Sequence, residues 1–573
     1  MSWTKRDTIV CLVLACIAGF LFIPFLGRVH LFDWDEINFA EIAREMILTG
    51  DYFRVHIDFQ PFWEKPPLFF WLQVLSMKIF GVNEFAARFP NALLGVLTLP
   101  VLYALGKNLS GRGNFGLLWA LCYGGSFLPA FYFKSGIIDP LFNFWILLSI
   151  YALSSYYAPV QGKVHSMRRV AIAGVAIGLA LLTKGPVAVL LAGLTWFLFW
   201  LWRRRFEDFP LTEIAVYCAL ALAVSFAWYG VELLRNGVWF FREFTQYQIR
   251  LLTTGDAGHS QPWYYHSVVL LIGCFPASVL IFPALKALRT VQNALQNRIP
   301  LETFTLWMVL LLTVVLVVFS AVQTKIVHYS SLAYFPITFL AARTLDSLVR
   351  KETSLSRLVA SALLALGGLW VLLLALVPIL GMNMEWVVVH TKDAFVRGNL
   401  QANVVWSGWE LCIAIGYALA LAGSGYFLAT KRYFEMTFTL FPATALALVC
   451  FTTVIAPKIE AYSQRAAVEF YEGLQGQKCY VRALGFKTYA DLFYSHKNIS
   501  QSASALNIPP EDFEQWLLEG DIDKPAYFVC KIQDAAQWRK HPNLTELYEK
   551  NGFVFLKRDT KKPSNLASGQ KHQ

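Results

Sequence analysis

The stretch LVASALLALGGLWVLLLALVPILGMNM, residues 358–384, contains no charged side chain. A helix needs about 20 consecutive apolar residues to cross the hydrocarbon layer of a membrane, so this stretch is long enough to span it. The whole chain shares this character: of its 573 residues, 56% are hydrophobic and 15% are charged. Soluble domains contain about 25% charged residues. The composition therefore excludes an ordinary soluble protein and indicates a polytopic membrane protein.

Apolar runs of similar character recur along the chain and predict a mostly α-helical fold with about thirteen transmembrane helices. The predicted spans are 8–27, 89–106, 113–133, 140–162, 170–183, 186–202, 214–231, 266–285, 303–324, 326–342, 358–384, 411–430 and 436–457.

The distribution of basic residues predicts the orientation of these spans. If the N-terminus is cytoplasmic, the short loops that must also be cytoplasmic are all rich in Lys and Arg, as the positive-inside rule requires. An odd number of spans then places the C-terminal part outside. The net charge of +11 follows mainly from this topology. Since no nucleic-acid-binding motif is present, no nucleic-acid partner is expected.

The chain divides into a transmembrane part, residues 1–457, and a small domain on the outer side, residues 458–558. The first outer loop, 28–88, contains two stretches expected to form interfacial helices, 36–48 and 66–77. The helix 36–48 is amphipathic and could lie flat on the membrane surface. The polar tail 559–573 is predicted to be disordered.

The outer domain is predicted to have an α/β fold, with strands near 479–486, 526–532 and 552–556 and a helix at 509–518. Two of its predicted strands carry Cys479 and Cys530. An oxidising compartment would permit a disulfide between them, and two buried free thiols are the alternative.

Carboxylates and cations gather at the loops and span ends that the topology places outside. Each has a structural explanation as well as a functional one: an Asp can cap a helix, a Glu–Lys pair can be solvated, and a lone Lys can anchor a span. Collectively, they favour a substrate that is both anionic and carried by a lipid. These residues are Asp35, Glu64, Lys65, Asp139, Lys184, His259, Lys325 and His328.

The chain contains no P-loop, no glycine-rich dinucleotide motif and no H-E-x-x-H zinc motif. No nucleotide cofactor is therefore expected.

Several of these segments, in this order, resemble the GT-C membrane glycosyltransferases. The closest resemblance is to the aminoarabinose lipid A transferase group, which is related to the protein O-mannosyltransferases. The segments are Asp35-Glu-x-x-Phe-Ala-Glu-Ile-Ala-Arg-Glu-Met46, Gly50-Asp51, Glu64-Lys-Pro-Pro-Leu68, Trp71-Leu-Gln73, Thr183-Lys-Gly-Pro186 and His259-x-x-Pro-Trp-Tyr-Tyr265. The chain departs from the commoner pattern at Asn38, where many relatives have Arg.

The resemblance implies an inverting transferase at the periplasmic face of a bacterial-type inner membrane. The implied donor is a polyprenyl-phosphate sugar. The implied acceptor is a glycolipid similar to lipid A, with protein Ser/Thr as an alternative. A monomer embedded in membrane lipids is expected.

The resemblance also implies roles for individual residues. Asp35 and Asp139 would be the catalytic carboxylates. Lys65 would bind the donor phosphate, and we expect Lys325 and His328 to assist it. Glu36, Glu64 and Lys184 would support the site, while Glu64 and His259 would bind a divalent metal.

Two other functions remain open at the level of sequence. A lipid transporter or flippase is one. Such proteins often show internal repeats and helices broken at mid-membrane, whereas no repeat is visible here and the polar residues sit at one face rather than at mid-span. A structural membrane component, whose outer domain binds a partner, is the other.

Overall fold

The computed structural model describes residues 3–159, 166–203, 210–238, 242–246, 249–250, 261–285 and 297–560. Within these ranges the protein is mostly helical, as predicted. The α-helices are α1 Lys5–Phe22, α2 Asp35–Thr49, α3 Leu68–Phe80, α4 Glu84–Ser110, α5 Gly113–Gly124, α6 Phe127–Phe131, α7 Asp139–Tyr157, α8 Met167–Lys184, α9 Val187–Arg203, α10 Leu211–Asn236, α11 Tyr265–Gly273, α12 Ile281–Leu285, α13 Pro300–Ala321, α14 Tyr334–Val349, α15 Arg357–Met382, α16 Met384–His390, α17 Ala394–Leu400, α18 Leu411–Ala429, α19 Tyr433–Cys450, α20 Ala456–Glu460, α21 Arg465–Glu472, α22 Ala490–Phe493, α23 Phe513–Glu519 and α24 Ala535–Arg539.

Seven helical segments among the described residues are long and apolar enough to cross a membrane, or nine if each of two bent pairs counts as one span. Four further predicted spans also form helices, but they are shorter or contain more polar residues; these are α1, α7, α8 and α9. The polytopic architecture is thus present, and the count of thirteen stays a prediction.

Two of the predicted spans are sharply bent. The axis turns by 80° between α5 and the segment Phe127–Lys134, and by 105° between α11 and the segment Ala277–Leu285. The first bend falls at Gly124-Gly125 and the second precedes Pro276. Gly weakens a helix and Pro removes a backbone donor, so both sequences favour a break. The predicted spans at 113–133 and 266–285 are therefore bent helix pairs, each of which could cross the membrane as one broken span.

The loop between α1 and α4 packs inside the molecule. Helix α2 buries an unbroken series of residues, from Glu36 to Met46, because α3 covers one side and α22 of the C-terminal region covers another. The prediction that 36–48 lies flat on a membrane surface was wrong, since both its apolar and its polar faces are enclosed. Helix α3 does keep an exposed apolar face, formed by Leu72, Leu75 and Ile79.

The C-terminal region contains a four-stranded mixed sheet in the order β3-β4-β6-β5. Two short strands in the first loop, β1 His56–Ile57 and β2 Gln60–Pro61, form a separate hairpin. The strands of the larger sheet are β3 Tyr480–Leu484, β4 Ala526–Lys531, β5 Thr545–Lys550 and β6 Phe553–Arg558.

Three of these four strands were predicted, and β5 was not. Every residue of β5 is exposed, so its sequence has no alternating apolar pattern to reveal it. The predicted helix at 509–518 begins later, at Phe513. The predicted tail lies, from residue 561, outside the described residues.

Cys479 and Cys530 are buried free thiols. In the parallel register of β3 and β4, Cys530 faces Leu484, five positions along the strand from Cys479. Since a strand rises about 3.3 Å per residue, the two Cα atoms are too far apart for a disulfide.

Asp491 is a buried carboxyl group in α22, between the sheet and the first loop. Burial raises the pKa of Asp491 to about 6, against the opposing charges of Arg482 and Lys497. Its Oδ1 atom has no hydrogen-bond partner among the described residues. The folded protein therefore holds this proton over a pH range in which the unfolded chain has released it.

We predict that Asp491 makes the protein less stable as the pH rises from about 4 to about 6. A pKa raised by about two units corresponds to about 3 kcal/mol of unfolding free energy, lost through this range. Relative to wild type, Asp491→Asn should be more stable at pH 7.5 than at pH 4.5. Thermal unfolding of the detergent-solubilised protein measures this, with exposed Glu511→Gln as the matched control. Parallel pH profiles for wild type and Asp491→Asn would contradict the prediction.

Candidate functional site

A cavity of about 910 Å³ lies where the first loop, the helix ends and the C-terminal region meet. Part of its wall is apolar and comes from the membrane-spanning helices, including Leu190, Val318 and Phe451. The rest of the wall is charged. The cavity thus combines an apolar groove with a cluster of ionisable groups.

Asp35 is the first residue of α2, and its side chain does not cap that helix. Its Oδ2 atom instead lies 3.2 Å from Nε2 of His328, and 35% of the side chain remains exposed. Burial raises the pKa of Asp35, but the hydrogen bond and charge of His328, with the charges of Lys65 and Lys184, lower it by more. Asp35 is therefore an ionised carboxylate that faces the cavity.

Asp139 forms the second part of the site. It is the first residue of α7, does not cap it, and is buried. Its Oδ1 atom accepts a hydrogen bond of 2.5 Å from Nζ of Lys184, while its Oδ2 atom lies 4.0 Å from Nε2 of His328. His328 thus stands between the two predicted catalytic carboxylates.

Local sequence explains how Lys184 reaches this position. Lys184 is the last residue of α8, where a cation is favourable against the helix dipole. Gly185 then adopts a φ of +89°, and a side chain there would come within 2.8 Å of the Phe244 ring. Helices α7 and α8 pack together, so the end of one lies beside the start of the other.

Glu36 was predicted to support the site, and both of its carboxylate oxygens accept hydrogen bonds within the fold. It accepts hydrogen bonds from Arg88 at 2.7 and 3.1 Å, from the Phe32 amide at 3.0 Å and from the Gly136 amide at 2.5 Å. Arg88 also donates to the carbonyl groups of Leu26, Val29 and His30. These bonds fix the position of Glu36, which lines the cavity directly after Asp35 in the chain, so a supporting role for Glu36 stays a prediction.

Glu64 and Lys65 both line the cavity, as predicted. The two prolines that follow them, Pro66 and Pro67, restrict the backbone at the start of α3. Lys65 is close enough to Asp35 to lower the pKa of that carboxyl group. The geometry thus brings Lys65 to the predicted catalytic carboxylate.

Lys325 does not join this cluster. Its side chain is buried, its Nζ atom donates to the Val322 carbonyl at 2.6 Å, and it is not among the residues that line the cavity. The sequence placed Lys325 at the correct span end but could not show which way the side chain turns. A role in binding the donor phosphate does not fit its position.

The predicted metal pair can be located only in part, because His259 lies outside the described residues. Within the described part of the chain, one group of three potential metal ligands was found: His30, Glu84 and Glu472. Glu64 does not belong to it. A divalent metal bound by Glu64 and His259 stays a prediction.

Sequence analysis missed several residues of the cavity wall. Lys134 follows the apolar run 113–133 by one position, and a charge at the end of a span was the available signal. Arg250 lines the wall as well. Lys487 and Tyr489 come from the C-terminal region, more than 400 residues after Asp35, and no local pattern indicates their position.

Comparisons with known proteins agree with the predicted resemblance. A family model described as dolichyl-phosphate-mannose-protein mannosyltransferase matches residues 64–229. An undecaprenyl phosphate-alpha-4-amino-4-deoxy-L-arabinose arabinosyl transferase of Pseudomonas paraeruginosa is 30% identical over 364 residues, which are 63% of this chain and 64% of that protein. Its counterpart from Pseudomonas aeruginosa UCBPP-PA14 is 30% identical and covers 64% of each chain.

The fold resembles that of ArnT from Cupriavidus metallidurans. The crystal structure of that protein bound to undecaprenyl phosphate gives a TM-score of 0.72 at 18% sequence identity, covering 99% of this chain and 100% of that one. Its apo structure gives a TM-score of 0.69 at 18% identity and covers 96% and 98%.

These comparisons confirm the resemblance to GT-C membrane glycosyltransferases and to the aminoarabinose transferase group. The sequence matches span just under two thirds of the relatives' length. The structural match extends over nearly the whole chain and shows that the fold is that of a multi-pass membrane protein of this kind.

We predict that Arg88→Met destabilises the protein by about 3–5 kcal/mol, because it leaves Glu36 buried without its cation. Thermal unfolding of the purified protein measures the loss. Arg88→Lys keeps the charge but not the paired geometry of the guanidinium group, so it should retain only part of the stability that Arg88→Met loses. Wild-type stability in Arg88→Met would show that the Glu36 carboxylate does not depend on this pair.

Proposed function

We propose that this protein is an inverting glycosyltransferase that moves a sugar from a polyprenyl-phosphate donor to a lipid acceptor. The observation that carries the proposal is the cavity itself, in which Asp35, Asp139, Lys65, Lys184 and His328 lie beside an apolar wall. A polyprenyl-phosphate sugar has the matching parts: an apolar tail, an anion and a polar head.

The reaction would be an in-line displacement at the anomeric carbon of the sugar. The bond from this carbon to the phosphate oxygen breaks as the acceptor oxygen forms the new bond, and polyprenyl phosphate leaves. Lys65 is best suited to stabilise the phosphate, because positive charge near a leaving group acts most strongly in a site shielded from water. Lys184 and His328 hold the carboxylates in place.

The part played by Asp35 depends on the acceptor. A hydroxyl acceptor must lose a proton, and the ionised Asp35 carboxylate is positioned to accept it. A phosphate acceptor is already ionised, so Asp35 would then stabilise positive charge at the anomeric carbon. Asp139, which is buried against Lys184, would keep that lysine oriented.

The names of the relatives favour a particular donor: undecaprenyl phosphate carrying 4-amino-4-deoxy-L-arabinose. The resemblance favours a lipid A-like acceptor at the periplasmic face of the inner membrane, with the C-terminal region also on that side. The matched family model favours a second candidate, transfer to protein Ser/Thr. No step of the proposed mechanism depends on a metal.

The first test compares the glycolipids of cells that lack the protein with those of cells rescued by wild type or Asp35→Ala. Mass spectrometry should show one sugar-sized mass that only wild type restores. If the mass were lost from peptides, protein O-glycosylation would replace the lipid acceptor. Full rescue by Asp35→Ala would contradict a catalytic role for this residue.

Asp35→Asn gives a sharper test of its role. With a hydroxyl acceptor, removal of a general base should lower kcat by about 100-fold or more. With a phosphate acceptor the loss should be smaller, since no proton is transferred. If Asp35→Asn lost all activity equally with both acceptor types, the proposed difference between the two roles of Asp35 would be contradicted.

The two predicted phosphate-binding lysines should respond differently to substitution. Lys65→Gln should raise the KM for the polyprenyl-phosphate donor at least 10-fold, because a hydrogen bond to a charged group is worth about 1.5–3 kcal/mol. Lys325→Gln is the matched control and should change this KM less than twofold. A large effect of Lys325→Gln on donor KM would show that its side chain turns into the cavity during the reaction.

A further inference from the structure

The C-terminal region supplies part of the cavity wall, although the proposed reaction assigns it no role. Lys487 and Tyr489 follow β3 and line the same cavity as Asp35. Trp34, the residue immediately before Asp35, lines it too. These three side chains, which we call the rim triad, join the C-terminal region to the predicted catalytic loop.

The rim triad has a defined geometry. The rings of Trp34 and Tyr489 meet edge to face, with centroids 5.9 Å apart and an angle of 80° between their planes. The Nζ atom of Lys487 lies 4.9 Å from the centroid of the Trp34 ring and 5.5 Å from that of Tyr489. Trp34 still exposes 40% of its surface. The triad thus offers an open aromatic face next to a positive charge.

Lys487 is available to bind an anion. Among the ion pairs of the described residues none includes Lys487, and its side chain is exposed. The two rings attract its ammonium group through their π faces and so restrict its position. An ammonium group has three donors and aromatic rings accept only weakly, so donors remain for a ligand.

Contacts of Asp33 hold the triad near Asp35. Burial raises the pKa of the Asp33 carboxyl group, while the Thr488 side chain and the Tyr489 backbone lower it, so both lie beside that carboxyl group. Residues 487–489 therefore lie against Asp33 and Trp34, the two residues that lead directly into Asp35. Whatever binds the triad is held close to the carboxylate at which transfer would occur.

We propose that the rim triad is the acceptor-binding subsite and that it recognises a phosphorylated saccharide headgroup. This inference rests on the proposed function and adds the acceptor site to it. One sugar ring would pack on the face of Trp34 beside Tyr489, and Lys487 would bind a phosphate of the same headgroup. The donor would bind elsewhere, with its tail against the apolar wall and its phosphate at Lys65.

The position of the rim triad relative to the membrane-spanning helices favours binding of the acceptor there over binding of the donor. The donor's tail must lie along the wall that the spans provide. The rim triad instead joins the first loop to the C-terminal region, outside the helices that are long and apolar enough to span a membrane, so a headgroup would reach it from the aqueous side. A cation supported by aromatic rings suits a phosphorylated sugar better than an uncharged Ser/Thr peptide.

The test measures transfer by the purified full-length protein, with donor and acceptor concentrations varied separately. Lys487→Gln and Lys487→Glu should raise the KM for phosphorylated lipid A at least 10-fold and leave the donor KM within twofold. The exposed residue Lys478 lies outside the cavity lining, so Lys478→Glu is the control for charge reversal. Dephosphorylated lipid A should show little difference between wild type and Lys487→Glu.

Substitutions of Trp34 and Tyr489 test the packing of the sugar ring separately from the binding of the phosphate. Trp34→Phe and Tyr489→Phe keep an aromatic face and should retain most acceptor binding, whereas Trp34→Ala should raise the acceptor KM with either form of lipid A. A donor KM that rises as much as the acceptor KM would overturn the assignment. So would equal effects of Lys487→Glu on phosphorylated and dephosphorylated acceptors, or transfer by wild type only to peptides.

Binding of phosphorylated lipid A, followed by native mass spectrometry without donor, distinguishes failure of this proposal from failure of the proposed function. Binding by wild type that Lys487→Glu weakens would support the subsite even if no sugar were transferred. Sugar transfer with no effect of Lys487→Glu on lipid binding would leave the transferase standing and overturn the subsite.

Discussion

The buried pair of Arg88 and Glu36 is the interaction on which the site depends. Arg88 lies near the start of α4, a helix long enough to span a membrane, and joins the loop after α1 to the first turn of α2 through five donated hydrogen bonds. Glu36 adds bonds to two backbone amides. A buried ion pair is tolerated only when its remaining donors and acceptors are satisfied in this way. Asp35 precedes Glu36, so the pair fixes the backbone from which the Asp35 side chain reaches His328.

A second ionic cluster holds α2 from its other side. Arg44 donates to both oxygens of Glu41 and to the Lys497 carbonyl, and Lys497 in turn pairs with Asp58 at 2.5 Å. Burial and the nearby Glu41 carboxylate raise the pKa of Glu45 well above its usual range. The C-terminal region is thus bound to the helix that carries Asp35, which connects a distant domain to the cavity.

Basic and acidic side chains are paired around Asp35 and Asp139 in the cavity. Lys184 is committed to Asp139, and His328 lies between Asp139 and Asp35. These contacts place a basic side chain beside each carboxyl group, which offsets the cost of holding two acidic groups close together. Lys65 contributes its charge from the segment Glu64–Pro67, which the two prolines stiffen. The arrangement suits a reaction that separates a phosphate from a carbon carrying positive charge.

The amino-acid sequence by itself determined which segments are helical and where the charged residues stand along the chain. Apolar runs about 20 residues long and the basic loops between them are local signals, so most helix bounds could be predicted closely. The segment 35–72 carried enough specific residues to show the resemblance, and Asp35, Lys65, Asp139, Lys184 and His328 indeed come together.

Tertiary structure decided everything that depends on which side chains meet. It enclosed α2, which its amphipathic pattern had placed on a membrane surface. It turned Lys325 towards a backbone carbonyl and paired Glu36 with Arg88. It also brought Lys487 and Tyr489 to the wall of the cavity that contains Asp35, more than 400 residues earlier in the chain. Periodicity reports only how a segment divides into apolar and polar faces. The partner of each face is set by packing between distant segments, because the cost of burying a charge depends on what lies opposite it.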